Sequence, residues 1–352
     1  MKKRSFLLIA SASMLAVSCS NDVVDGELNR DGITIRVTTP RMTKGVPVDA
    51  SNLGQFSLYA SHCDTAVIPQ CNANVDKEGL TSGYGYHYWP QDNGVTPVKF
   101  YAWGPTDSKN SGQINAVDNV TFNVTPSDNV DSQVDFVFAH TQKNLITGKN
   151  GVNLYFRHAM SQIVVKVRNS QSNYKFNVNG WKMVYLDKDG KFTYAGSSTD
   201  ENQPLSNTYW SENTTASVTN SYVKNLASTK LITSSDTVLL EGNMILVPQT
   251  VGKATAYTSA TPGAPFNGAY LAILMNVVEA STGNELKAEQ WCCWPVEFAW
   301  NPGYKYIYSV DLGGGGYKET SEGGTDPQPV IDMISIIPIV ADWIESPIDV
   351  TM

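Results

Sequence analysis

The sequence has little charge and, beyond its first four residues, no cluster of lysine or arginine. Charged residues make up 16% of the 352 residues, and the formal net charge is −8. An acidic chain without a basic patch does not suit the phosphate backbone, so nucleic acid is excluded as a partner.

Long apolar runs and helical periodicity are also missing. Beyond the leader, no stretch approaches the ~20 apolar residues that a membrane-spanning helix needs. Tyr, Thr, Ser, Asn and Val are instead abundant, which favours strands and turns. The sequence therefore predicts an all-β protein.

Catalytic and metal-binding motifs are absent as well. The chain has no G-x-S-x-G, no H-E-x-x-H, no P-loop and no G-x-G-x-x-G between a strand and a helix. His62, His87 and His140 are isolated, and His158 is predicted to be a hydrogen-bonded structural residue. We expect no enzymatic activity, no cofactor and no metal site.

Cysteine is scarce, with five residues in the chain. In an oxidising compartment, Cys63 and Cys71 are candidates for a disulfide that staples a loop. The adjacent Cys292 and Cys293 must face opposite sides of a strand, and at least one is expected to be a buried apolar thiol.

The N-terminus is typical of an export signal rather than of folded structure. A basic start, Lys2–Arg4, is followed by the apolar Ser5–Val17, and Ala16-Val17-Ser18-Cys19 resembles a bacterial lipobox. Ala16 stands where leucine is more usual, and a plain secretory leader is the alternative. We predict a lipoprotein signal peptide over residues 1–18, lipidation of Cys19 and a tether over residues 19–31.

Short alternating runs at near-regular spacing indicate a β-sandwich. In the first run, Ile33, Ile35 and Val37 share one face. The predicted strands are Gly32–Thr39, Leu53–Ala60, Val98–Trp103, Val120–Val124, Val134–Ala139, Val152–Phe156, Ile163–Val167, Trp181–Tyr185, Val238–Leu240, Met244–Val247, Ala269–Met275, Cys292–Phe298 and Tyr304–Val310.

The middle of the chain predicts a domain boundary. Val152–Arg168 has the pattern of a strand, a short crossing and a second strand, and it follows the polar loop Thr141–Gly151. We therefore predict sandwich domains over residues 32–148 and 149–312. Asp187–Lys191 is predicted to be a turn, because it lacks the remaining ligands of a Ca²⁺ loop.

Residues 313–352 differ from the rest of the chain. A spacer rich in Gly, Ser and Pro precedes the apolar run Val330–Ile344, in which Ile337, Ile339, Ala341 and Trp343 share one parity. Pro338 cannot donate to a ladder, which favours an edge strand or an added strand. Such a strand must be covered by its own domain or by another subunit.

Several segments together resemble the fimbrillin-like (Mfa-like) lipoproteins of Bacteroidales, in the order found in that family. They are Lys44–Ala60, Val98–Pro105, Asp135–Ala139, Val152–Val167, Leu246–Gln249, Pro302–Leu312 and Trp343. The resemblance implies an all-β fold of two transthyretin-like Greek-key β-sandwich domains in tandem. It also implies a pilus subunit exported as an outer-membrane lipoprotein precursor to the cell surface.

The resemblance further implies how such a subunit assembles. An Arg-specific protease removes the first strand, and the C-terminal strand of a neighbouring pilin subunit fills the groove. Arg41 is the best cleavage candidate, because Arg36 lies within the strand and Arg30 precedes it. The implied donor residues are Ile337, Ile339, Ala341 and Trp343.

A surface lipoprotein that binds glycans and does not polymerise is the alternative. Tyr84–Trp89 is the densest aromatic cluster and could stack against sugars. In either case a host protein or glycan is a candidate ligand.

Overall fold

The chain folds into stacked β-sheets, so the all-β prediction is confirmed. The computed structural model describes residues 32–38, 53–76, 79–92, 94–106, 112–116, 119–195, 204–212, 220–252, 255–256, 266–318, 329–331 and 337–342. Among these residues no helix is long and apolar enough to cross a membrane.

The one α-helix within those ranges is α1, Leu145–Gly148, in the segment predicted to be a polar loop. Its single turn is closed by a capping box: Thr147 N donates to Asn144 Oδ1 at 2.9 Å, and Asn144 N donates to Thr147 Oγ1 at 3.1 Å. Three short 3₁₀ helices lie at Val130–Ser132, Asn207–Tyr209 and Leu312–Gly314.

Within the described residues, the N-terminal part of the chain supplies ten strands. They are β1 Ile35–Thr38, β2 Gln55–His62, β3 Thr65–Val75, β4 Thr81–Ser82, β5 Val98–Gly104, β6 Gly112–Ala116, β7 Asn119–Val124, β8 Val137–Lys143, β9 Val152–Tyr155 and β10 Arg157–His158. The sheet β10-β8-β5-β2-β3-β4 packs against the parallel pair β1-β9. Their inward side chains form one core, with Phe56, Phe100 and Leu154 fully buried.

Most of the C-terminal part is built from two facing sheets. Its strands are β11 Ser161–Arg168, β12 Tyr174–Val184, β13 Gly190–Ala195, β14 Trp210–Glu212, β15 Ser221–Ile232, β16 Thr237–Leu239, β17 Met244–Leu246, β18 Thr250–Val251, β19 Thr255–Ala256, β20 Phe266–Asn267, β21 Tyr270–Glu279, β22 Glu285–Pro295, β23 Phe298–Ala299, β24 Tyr304–Asp311, β25 Gly316–Lys318, β26 Pro329–Ile331 and β27 Ile337–Asp342. Sheet β16-β11-β24-β27, with β17 on β11, faces sheet β15-β12-β21-β22-β25-β26. The two small pairs are β18-β23 and β19-β20. Trp181 and Trp300 are fully buried in the main core.

An aromatic cluster ties the two parts together. The sheet β14-β13-β7-β6 contains strands from both halves of the sequence. Phe122 of β7 lies 5.2 Å from the ring of Trp103 in β5, and Phe192 of β13 lies 5.2 Å from Phe138 in β8. The halves therefore share a packed layer, and the chain between them is not a free linker.

Strand pairing places the junction between the halves later than the sequence predicts. The pattern of strand, crossing and strand over Val152–Arg168 is confirmed. However, β9 pairs with β1 and β10 pairs with β8, whereas β11 pairs with β16, β17 and β24. The two-domain division stays a prediction, and this pairing moves its boundary from 148/149 to about residues 159–160.

The glycine-rich segment at Gly313–Gly316 is not a flexible spacer, so that part of the prediction is wrong. It forms the 3₁₀ turn Leu312–Gly314 and enters β25, which pairs with β22. A Cβ on Gly313 would lie 2.8 Å from Asn169 Oδ1, and one on Gly316 would lie 2.8 Å from the ring of Trp294. These glycines allow close packing rather than motion.

The four cysteines of the described residues form no disulfide, and the predicted bond between Cys63 and Cys71 is ruled out by their positions. In the hairpin of β2 and β3, Cys71 pairs with Leu58, whereas Cys63 lies in the turn between His62 and Thr65. Leu58 and Cys63 are five residues apart, so at ~3.3 Å per residue the Cα atoms of Cys63 and Cys71 are on the order of 16 Å apart, well beyond the reach of a disulfide. Cys292 and Cys293 are buried on opposite faces of β22, as predicted.

We expect the four thiols to react very differently with a disulfide reagent. In a chain of residues 20–352, the exposed Cys63 should react fast and the half-buried Cys71 slowly, because burial raises the pKa of Cys71. Burial also raises the pKa of Cys292 to about 12, so roughly one thiol in ten thousand is ionised at pH 8. Stopped-flow thiol titration checks this. Cys63→Ser should abolish the fast phase, and a fast native reaction of Cys292 would contradict the burial.

Candidate functional site

The first strand, β1, lies in an apolar groove at one side of the N-terminal core. Ile33, Ile35 and Val37 are 5, 1 and 6% exposed, whereas the intervening Thr34 and Arg36 face solvent. This is the alternation that the sequence predicts for a half-buried strand. Burial of such side chains stabilises by roughly 1.5–3 kcal/mol each, so it is a large part of what holds β1 in place.

The walls of the groove are apolar side chains of the N-terminal core. Val152 and Leu154 of β9, and Phe156 just after it, are buried together with Phe56 of β2. The rings of Phe56 and Phe156 meet edge to face at 5.3 Å. If β1 left, these residues would face water, which favours replacement by another apolar strand.

On one side, β1 is held by a regular parallel ladder. The register runs from Ile35 opposite Val152 to Thr38 opposite Tyr155. Just before the paired run, Thr34 O accepts from Val152 N at 2.7 Å. Parallel ladders bond alternate residues of a strand, so the even-numbered residues of β1 face β9.

On the other side, residues 79–88 run antiparallel to β1 but form only the isolated bridges Gly32–Tyr88 and Arg36–Leu80. Ile33 N donates to His87 O and Val37 N donates to Gly79 O, both at 2.8 Å. Between these two contacts the strand is not bonded by backbone, which makes this the weaker of its two edges.

Side-chain hydroxyls fill the gap between the two bridges. The hydroxyl of Tyr84 accepts from Ile35 N at 3.2 Å and donates to Ile33 O at 3.3 Å. Thr81 Oγ1 donates to Ile35 O at 2.6 Å. These roles cannot be predicted from the sequence, in which only the aromatic character of Tyr84–Trp89 is apparent.

The C-terminal strand, β27, lies at the edge of its own sheet. It runs antiparallel to β24, from Tyr304 opposite Asp342 to Ser309 opposite Ile337, with Pro338 opposite Tyr308. The edge position predicted from Pro338 is confirmed. Within β24, the strand with which β27 pairs, burial lowers the pKa of Lys305 and raises the pKa of Tyr308.

The structure places some of the predicted site residues and not others. Ile337, Ile339 and Ala341 lie in β27, and Trp343 falls outside the described residues, as do Cys19, Arg30 and Arg41. Arg36 lies within β1, paired with Asn153. Proteases need extended, unpaired backbone, and the choice among the three arginines stays a prediction.

The aromatic segment beside β1 is divided between core and surface. Trp89 is buried, whereas Tyr86 is 97% exposed and Tyr88 is 42% exposed. An open cavity of about 680 Å³ lies between this segment and the start of β1. Tyr86 is therefore the residue that a sugar-binding surface would use.

The histidines have structural surroundings. His158 Nδ1 lies 2.5 Å from Asp135 Oδ2, and both side chains are buried, so His158 is hydrogen-bonded as predicted. His140 contacts the hydroxyl of Tyr194 at 3.0 Å. Within the ranges that the structure describes, no group of His, Cys, Asp or Glu has the arrangement of a metal site.

Comparison with models of protein families gives a match over most of the chain. A family model described as fimbrillin-like matches residues 50–326. No curated protein matches at a significant level.

Several solved structures are similar to the chain at low identity. A candidate cell adhesion protein from Bacteroides ovatus is 13% identical, with a TM-score of 0.49 over 90% of this chain and 99% of that chain. One from Bacteroides eggerthii is 14% identical, with a TM-score of 0.44 over 90% and 98%. The fimbrial anchor protein Mfa2 from Porphyromonas gingivalis is 11% identical, with a TM-score of 0.35 over 79% and 90%.

Proposed function

Because the chain belongs to the fimbrillin-like family, whose model matches residues 50–326, we propose that it is a structural fimbria subunit that serves adhesion. It assembles by exchange of strands between copies or with related pilin subunits. The observation that carries this proposal is β1 itself, an apolar strand seated in a groove with one regular edge and one broken edge.

The subunit reaches the cell surface as a precursor. Residues 1–18 direct export, and Cys19 carries the lipid that anchors the precursor in the outer membrane. The lipobox spelling Ala16-Val17-Ser18-Cys19 supports this step. The tether over residues 19–31 then separates the anchor from β1.

Cleavage after Arg41 by an Arg-specific protease frees β1. Arg41 follows β1 directly in sequence, so a cut there leaves the strand attached only by the contacts in its groove. Arg36 and Arg30 are the poorer sites, because Arg36 is paired with Asn153 and Arg30 precedes the strand.

The C-terminal strand of a neighbouring subunit then fills the groove. Ile337, Ile339, Ala341 and Trp343 are the residues that enter it. Strand addition gains main-chain hydrogen bonds, and alternate side chains fix the fit. A subunit that both accepts and donates a strand forms a head-to-tail contact that does not close, and such contacts build filaments.

The test is to treat the purified full-length chain with an Arg-specific protease. We expect a new N-terminus after Arg41 and a ladder of SDS-resistant oligomers. Arg41→Ala should stay uncleaved at that site and monomeric, whereas the control Arg36→Ala should behave as wild type, since Arg36 is solvent-facing. Polymers from Arg41→Ala would contradict the cleavage site, and clean cleavage without polymers would contradict the structural role.

A further inference from the structure

We propose that Tyr84 and Thr81 form a hydroxyl clamp that sets the register of whichever strand occupies the groove. In the precursor that strand is β1. In the assembled form it is β27 of a second copy, and this half of the inference rests on the proposed function. The clamp is formed by the Tyr84 hydroxyl and Thr81 Oγ1 on the broken edge beside β1.

Tyr84 is held in place by its own surroundings. Its ring packs against the N-terminal core, and its backbone carbonyl lies 2.7 Å from His87 Nε2. The flanking Gly83 and Gly85 have φ of 86° and 81°, which turns the chain so that the hydroxyl reaches β1. The hydroxyl is thus positioned before any strand arrives.

The hydrogen bonds of the clamp are made to main-chain atoms of the bound strand. The clamp bonds the carbonyl oxygen of Ile33 and both backbone groups of Ile35. Because the clamp recognises backbone, it can bind strands that have different side chains. Exchange of β1 for a different strand requires this tolerance. The clamp does not tolerate proline at the position of Ile35, because proline has no N–H.

Pro338 makes this requirement informative. If β27 entered parallel to β9 with Ile337, Ile339 and Ala341 in place of Ile33, Ile35 and Val37, Pro338 would replace Thr34. Thr34 precedes the paired run that starts at Ile35, and its carbonyl accepts from Val152 N. Proline is tolerated at the start of a strand, so this register keeps the clamp and the ladder.

Other registers lose one of these interactions. A shift by one residue puts Pro338 at the position of Ile35 or Ile33, where the strand bonds Tyr84 or His87 through its N–H. Moving Pro338 onto Arg36 puts it inside the ladder. Moving it back onto Gly32 puts Ala341 in the site of Ile35 and leaves a void.

The first arm of the test uses the intact precursor and needs no assembly. Tyr84→Phe keeps the ring and removes the hydroxyl, so hydrogen exchange at the Ile35 amide should be about tenfold faster. Thr81→Val should have a smaller effect in the same direction. Tyr86→Phe is the matched control, because its hydroxyl is on an exposed side chain, and it should change nothing. An unchanged rate in Tyr84→Phe overturns the clamp.

The second arm measures the register after β1 has been removed. Asn153→Cys, in a Cys63→Ser background, is mixed with peptides of residues 335–345 carrying Pro338→Cys, Val340→Cys or Asp342→Cys. Since Arg36 pairs with Asn153, the Val340→Cys peptide should form the disulfide at least tenfold faster than the other two. Preference for either other peptide overturns the register. No disulfide with any peptide overturns the strand exchange of the proposed function, while the first arm still decides the clamp.

Discussion

Replacing Gly79 with alanine is expected to displace β1 from its groove in the intact chain. Gly79 has φ of +79°, and a Cβ built there lies 2.5 Å from the carbonyl oxygen of Val37. The left-handed backbone costs alanine roughly 1–2 kcal/mol, and the overlap adds roughly 1–3 kcal/mol. Together these costs match the stabilisation that comes from burying one or two β1 side chains. The backbone amides of β1 should therefore lose most of their protection from hydrogen exchange.

Hydrogen exchange at the amides of residues 33–38 measures this displacement. Gly283→Ala is the matched control, because Gly283 lies in the turn between β21 and β22, has a similar φ of +77°, and a Cβ built there would meet no atom within 4 Å. It should lose stability through backbone strain and keep β1 protected. Equal exposure of β1 in both variants would show that backbone strain, and not the overlap with Val37, displaces the strand. Full protection of β1 in Gly79→Ala would contradict the close approach to Val37.

Truncating Phe122 to alanine is expected to lower the free energy of unfolding by about 3–5 kcal/mol. Phe122 is 1% exposed. Its ring lies 5.2 Å from Trp103, 5.0 Å from Phe136, 6.3 Å from Phe138 and 6.1 Å from Phe192. Because these partners come from both halves of the sequence, the void would weaken the layer that joins them.

Urea denaturation followed by tryptophan fluorescence measures the loss. Tyr86→Ala is the control, since an aromatic side chain that is 97% exposed should contribute within about 0.5 kcal/mol. Two probes, one in each half, should report the same loss for Phe122→Ala. A loss under about 1 kcal/mol, or one confined to the N-terminal half, would contradict the joining role.

The parts of the fold that the sequence predicts are those with a strong local apolar signal. Ile33, Ile35 and Val37 alternate with polar residues, whereas β2, β5 and β11 carry short apolar runs, because most of their residues are buried. Pro338 predicts that β27 lies at an edge, because a missing N–H would break the ladder inside a central strand. In each case the signal is local in sequence.

Two long strands were missed because their faces are not clearly divided. β3 has only two buried residues, Ile68 and Ala73, along its eleven. Much of β15, Ser221–Ile232, is polar and solvent-facing. Strands that project beyond the core pair through backbone alone, and hydrophobic periodicity carries no information about backbone pairing.

The groove could be predicted only in part. The strand that fills it is visible in the sequence, but its two edges come from residues 79–88 and 152–156, and no local pattern connects these to β1. The contact between Tyr84 and Ile35 spans 49 positions. In the sequence, Tyr84 is only one of several aromatic residues. Residue type alone does not distinguish a tyrosine whose hydroxyl forms hydrogen bonds from one that packs in a core.

The parallel pairing of β1 with β9 also has a consequence for the time course of folding. The ladder of Ile35 can form only after Val152 has been synthesised. Contacts between residues so far apart in sequence form late, because the entropy of closing the intervening loop is lost first. We therefore expect β1 to dock last, onto a groove already built by the rest of the N-terminal half. The nascent chain would then pass through a state with an empty groove, in which any apolar strand of suitable length competes with β1 until docking is complete.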